Sequence, residues 1–123
     1  MHAAIYHQLL TLARERRLTT YSDIAPLAGL SMDRESDREA ISQILGEILR
    51  HEVAHGRPLL TAIVVHRGDD NTPGEGFFAE STQLGRYNGS RTQMVRLEFW
   101  VREVSAVHQY WGADSSGRTS HQA

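Results

Sequence analysis

Leu18-Thr19-Thr20-Tyr21-Ser22-Asp23-Ile24-Ala25-Pro26-Leu27-Ala28-Gly29 sets the architecture of the N-terminal half. Residues 18–20 are short and β-branched, which suits a strand fragment. Thr20 or Ser22 then offers a side-chain oxygen to the orphan N–H groups of a second helix running through 24–28. Gly29 ends that helix, because glycine takes the left-handed cap conformation without strain.

Towards the N-terminus, Ile5, Leu9, Leu12 and Ala13 recur at helical spacing, with Gln8, Arg14 and Glu15 elsewhere on the wheel, so 3–17 reads as helix one. Towards the C-terminus, Ser36 and Glu39 have capping-box spacing and open a long helix whose apolar face is Ile41, Ile44, Leu45 and Ile48. Gly56 and Pro58 stop it. Residues 59–67 are apolar on both faces and predict a strand covered on both sides. Residues 68–74 are dense in turn formers, and Asp69 and Asp70 read as turn residues rather than metal ligands. Gly76, Phe77 and Phe78 return to the core, a short helical stretch reaches Leu84, and Gly85 closes it. In 92–111 the alternation of Val95, Leu97, Phe99 and Val101 competes with helical spacing of Leu97, Trp100, Val101, Val104, His108 and Trp111; the latter holds for four turns, supported by the Glu98/Arg102 pair. The fold expected is α+β, winged-helix-like and mostly helical, with a small sheet and a long C-terminal helix. One domain covers 1–111, and 112–123 reads as a disordered tail.

Composition narrows the function. The 123 residues are 40% apolar and 23% charged, as in an ordinary globular domain with one core. Cysteine is absent, which excludes disulfides, thiolate nucleophiles and thiolate metal sites. The net charge of −2 lacks the footprint of a strong non-specific nucleic-acid binder, so DNA binding has to come from a local patch. Arg14, Arg16 and Arg17 come after the first apolar positions, the reverse of a secretory signal, and the apolar run 59–65 falls far short of the roughly 20 residues of a membrane span. The expected location is cytoplasmic, with no membrane partner.

Ile5-Tyr6-His7-Gln8-Leu9-Leu10, Thr20-Tyr21-Ser22-Asp23-Ile24-Ala25 and Ala28-Gly29 together resemble the DNA-binding domain of the alkylguanine-DNA alkyltransferases and alkyltransferase-like proteins, which carry a Thr-Tyr-Gly-Glu-Ile-Ala segment. Val65-His66-Arg67 stands where that family has Cys-His-Arg, Gly74-Glu75-Gly76-Phe77 resembles its Gly-Gly-Tyr turn, and Glu98-Phe99-Trp100 its closing aromatic helix. The resemblance implies a winged helix–turn–helix that binds duplex DNA. It gives Tyr21 the role of packing against a target phosphate when a base is extruded, and Arg38 that of filling the vacated stack. His66 and Arg67 complete the implied nucleic-acid-binding set. Two departures stand out. Arg38-Glu39-Ala40-Ile41 has one residue more than the family's Arg-Ala-Val-Gly, and Val65 replaces the alkyl-accepting cysteine, so direct alkyl transfer is chemically impossible. Acidic residues also outnumber arginines in 33–56, and a net-negative recognition helix repels phosphates. Plain packing accounts for the same residues: Tyr21 as a half-buried aromatic, Arg38 on a solvated helix face.

A second motif competes. His51-Glu52-Val53-Ala54-His55 is a literal H-E-x-x-H, which on a helix sets two imidazoles on one face beside a carboxylate that could activate a zinc-bound water. His51, His55 and His108 would be the ligands and Glu52 the base, with His66 a further candidate. Against this, Gly56 and Pro58 end the helix at once, and a helix-end histidine also interacts favourably with the macrodipole. The helical phase sets Glu52 at the centre of the apolar stripe, where it must find a donor such as Arg57, His108 or an arginine of the last helix.

Three functions therefore stand open: a non-catalytic nucleic-acid-binding domain of alkyltransferase-like type with no cofactor, a small zinc hydrolase, and a protein-interaction subunit with a protein partner.

Overall fold

The computed structural model describes residues 1–68 and 72–122, with side chains described as far as Gly112. Asp69 and Asp70 lie outside the described residues, as do the side chains of the expected tail after Gly112. The elements are α1 (Ala3–Arg14), β1 (Thr19–Thr20), α2 (Tyr21–Ile24), α3 (Glu35–Ala54), β2 (Val64–Val65), α4 (Glu75–Gln83) and α5 (Gln93–Gln122). Single 3₁₀ turns cover Ala25–Ala28 and Leu60–Ile63. This is an α+β architecture, mostly helical, with a small sheet and a long C-terminal helix.

α1 buries Ile5, Leu9, Leu12 and Ala13, the stripe its periodicity predicts. Each large aliphatic there contributes about 2 kcal/mol by leaving water. Thr20 caps α2 by accepting from Asp23 N at 3.1 Å, and Gly29 closes the next turn with φ of 71°. β1 and β2 pair in parallel, Thr19 with Val64 and Thr20 with Val65. Parallel neighbours need a long crossover, and α2 with α3 supplies it.

The structure departs from the sequence expectation at four places. The capping box does not form: Arg34 occupies the N-cap without a side-chain bond, and the Asp37 carboxylate instead accepts from Ser31 N at 2.9 Å. Residues 59–67 hold only the two-residue β2, preceded by a 3₁₀ turn in which Leu60, Ala62 and Ile63 are wholly buried. A segment covered on every side is apolar all round whether it is strand or helix, so periodicity does not separate the two. No wing forms: after β2 comes the expected short helix, α4, and among the described residues the sheet has two strands and no antiparallel hairpin. Finally, the inner face of α5 is rotated from the predicted phase. Phe99 and Val107 are buried while Leu97 and Val101 are 42% and 49% exposed, because Phe99 joins an aromatic cluster with Phe77, Phe78 and Tyr87.

The 3₁₀ turn Leu60–Ile63 sits at the centre, packed on α1, α3 and α5. Trp100 Nε1 donates to Ala62 O at 2.8 Å and fastens α5 to it. No helix among the described residues is long and apolar enough to cross a membrane.

Candidate functional site

Strand register creates the site. Since Thr20 pairs with Val65, the next residues along the two chains, Tyr21 and His66, emerge side by side. Their rings lie 4.6 Å apart at 37°. The Tyr21 hydroxyl accepts from Gly74 N at 2.8 Å, tying the start of α4 to the same point. A Cβ on Gly74 would lie 2.9 Å from His66 Nε2 and 3.3 Å from the Tyr21 oxygen, so any larger residue here must displace the His66 ring. Burial raises the Tyr21 pKa, and the bond from Gly74 offsets part of that rise. The phenol therefore stays neutral and keeps its own proton to donate.

These groups close one end of a cleft of about 690 Å³ that runs between α3 and α4. That volume is within the range of ordinary small-molecule clefts. Ile41, Leu45, Leu49 and Phe77 supply its apolar inner wall. Arg38 lies on the α3 side, where its Nη1 donates to Met32 O at 2.9 Å. Four acidic residues also line it, Glu39, Glu47, Glu75 and Glu80. Three of the four are paired: Glu80 with Arg50, Glu75 with both terminal nitrogens of Arg96 at 2.7 and 2.9 Å, and Glu47 with the Met1 ammonium at 2.9 Å. The Arg96 bond holds the Glu75 carboxyl below the usual range, and the Met1 bond does so for Glu47.

Of the residues the sequence nominates for nucleic acid, Tyr21, Arg38 and His66 meet in this cleft. Arg67 does not. It pairs with Asp23 at 3.1 Å on an exposed surface. Val65, in the place of the acceptor cysteine, is 4% exposed. Sequence reasoning missed Thr61 and the Gly74 cradle; the Gly74-Glu75-Gly76 run was visible, but its contact with Tyr21 and His66 arises from strand register.

The histidine constellation is arranged otherwise. Glu52 is wholly buried, as its helical phase requires, and is spent on an internal network. It accepts from Tyr6 Oη at 2.9 Å and from Arg57 Nε and Nη2 at 3.1 and 2.8 Å. The partner is thus Arg57, brought back by the chain reversal at Gly56, whose φ is 70°. The bond to Glu52 holds Arg57 above the ordinary arginine range. Burial first, and the bond to Glu52 second, raise the Tyr6 pKa. The His51 and His55 rings stand 4.4 Å apart, with His55 Nδ1 2.8 Å from His51 O. His108 does not join them: its Nε2 is 3.0 Å from Arg17 O at the α1–α5 contact. Among the described residues no group of three or more His, Asp or Glu is placed to hold a metal ion.

Fold and site together define a small, mostly helical α+β domain with an open cleft, apolar inside and ion-paired at the rim. Compared with known proteins, the chain matches no family model, no curated protein and no solved structure.

Proposed function

We propose that this chain is a non-catalytic nucleic-acid-binding domain of the alkyltransferase-like type, which holds duplex DNA across the cleft and takes one extruded base into it. The observation that carries the reading is the convergence of Tyr21, His66 and Arg38, far apart in sequence, on the walls of one cleft. These are three of the four residues to which the resemblance gives a nucleic-acid role. The apolar inner wall could pack against a base, the volume leaves room for one, and the neutral Tyr21 phenol has a proton to offer a phosphate. The electrostatic objection is met at two positions: within 33–56 Glu47 gains the Met1 ammonium and Glu52 gains Arg57, while Arg50 is engaged by Glu80.

Fluorescence anisotropy with a labelled duplex carrying one O6-methylguanine, run against salt, tests the reading. Binding should fall as salt rises. Tyr21→Ala should weaken it roughly tenfold, the scale of one lost aromatic contact; it also lowers the urea midpoint by removing a ring packed on the core and its bond from Gly74, so binding is compared at a temperature where both proteins are fully folded. A parent protein with no salt-sensitive affinity for the duplex would overturn the proposal.

A further inference from the structure

Two hydroxyls are shut away from solvent without a hydrogen-bond partner among the described residues, Thr61 Oγ1 and Ser81 Oγ. A buried hydroxyl with no partner is destabilising, and a fold that retains one has a reason to be sought. Their positions differ. Ser81 is wholly buried on α4 and takes no part in the cleft wall. Thr61 lies on the 3₁₀ turn and does line the cleft, beside Ile41, Leu45, Leu49 and Phe77. At 3% exposure its side chain borders the cavity, and its oxygen has almost no accessible surface.

Threonine has two accessible χ1 wells in a helical backbone. Its hydroxyl and methyl are close in shape, so rotation about χ1 exchanges them with little change in volume. The apolar wall accepts the face of any flat ring. Of the acidic groups lining the cleft, Glu80, Glu75 and Glu47 are held by Arg50, Arg96 and the Met1 ammonium, and Glu39 has no ion-pair partner among the described residues.

We infer that Thr61 is the specificity-determining residue of the cleft: its hydroxyl turns inward when a base enters and donates to a carbonyl oxygen or ring nitrogen on that base's edge. The inference rests on the nucleic-acid reading above. A protein hydroxyl with no partner of its own gains a full hydrogen bond from the right base and nothing from a base that presents no acceptor there, which is how one buried polar group discriminates between ligands of equal shape.

Thr61→Val and Ser81→Ala form the test, because each removes an orphan hydroxyl and only one of them borders the cleft. Both should raise the thermal midpoint, by roughly 3 °C for a domain of this size. Only Thr61→Val should weaken binding of the labelled duplex, by about tenfold, and it should flatten the preference among duplexes that differ at the target base. Thr61→Ser, which keeps the hydroxyl, should retain the preference. Thr61→Val binding like the parent would overturn the inference, as would a lowered midpoint, since the hydroxyl would then be satisfied within the protein. Equal weakening by Ser81→Ala would overturn it too, by tracing the loss to packing. A parent that binds neither the O6-methylguanine duplex nor its unmodified counterpart removes the nucleic-acid reading itself, a result distinct from all of these.

Discussion

The two ends of α3 treat their polar groups in opposite ways. At the C-terminal end the Glu52 carboxylate is wholly buried and receives three hydrogen bonds, from Tyr6 and twice from Arg57. From Arg38 to Arg50, ahead of that last turn, α3 lines a cleft where the ion pairs are half-exposed or more on one side and Thr61 is left without a partner among the described residues. A closed, satisfied network stabilises and has nothing left to offer a ligand. An open cleft with an unspent hydroxyl is less stable and keeps its capacity to bind. The more suggestive sequence motif, H-E-x-x-H, lies at the closed end, while the candidate site lies at the open one.

Substitutions at each end in turn test that contrast. Glu52→Ala should have the largest effect, about 3 kcal/mol from urea denaturation, because it leaves the Arg57 guanidinium and the Tyr6 hydroxyl without their acceptor. A loss of only a few tenths would mean that the closed end is no more committed than the open one. Gly74→Ala comes next. Its methyl would meet His66 Nε2 at 2.9 Å and must push the ring from Tyr21, costing about 1 kcal/mol in stability. It should also weaken duplex binding by more than that stability loss predicts, since the displaced ring stands at the cleft wall. Unchanged affinity would detach the Tyr21–His66 pair from the site.

The weakest response belongs to the Glu75–Arg96 pair at the rim. The Glu75 carboxyl is held below its ordinary range by Arg96, so its contribution is present above the unfolded pKa and is lost as pH falls through the folded one. Glu75 is 68% exposed, and solvent screening limits the pair to about 0.5 kcal/mol. Glu75→Gln should therefore lower the urea midpoint slightly at neutral pH and leave it unchanged in acid. A loss as large as that of Glu52→Ala would erase the difference between the two ends.

Much of the local structure is legible in the sequence because its causes are local. The stripe of α1, the Thr20 cap and the Gly29 stop follow from spacing, side-chain reach and glycine's tolerance of positive φ. The burial of Glu52 is legible from the phase of Ile41, Leu45 and Ile48. Residues 59–67 mislead because total burial removes periodicity, and α5 because two apolar stripes overlap on it. The capping box fails for a related reason: Ser36 and Glu39 have the right spacing, but the turn held by Asp37 and Ser31 starts the helix earlier.

The site divides along the same line. Residue identity and spacing alone rule out a cysteine nucleophile and place Glu52 inside, while the resemblance nominates Tyr21, Arg38, His66 and Arg67 as an expectation. It took the packed fold to establish that Tyr21, Arg38 and His66 share a cleft, that Arg67 does not, that His108 stands apart from His51 and His55, and that Thr61 borders the cavity with a buried hydroxyl that has no partner among the described residues. The difference is one of range. Caps, turns and helical phase act within a few residues, whereas the parallel register of Thr20 with Val65, and the ion pairs that neutralise the rim, join positions separated by long stretches of chain whose meeting no local pattern encodes.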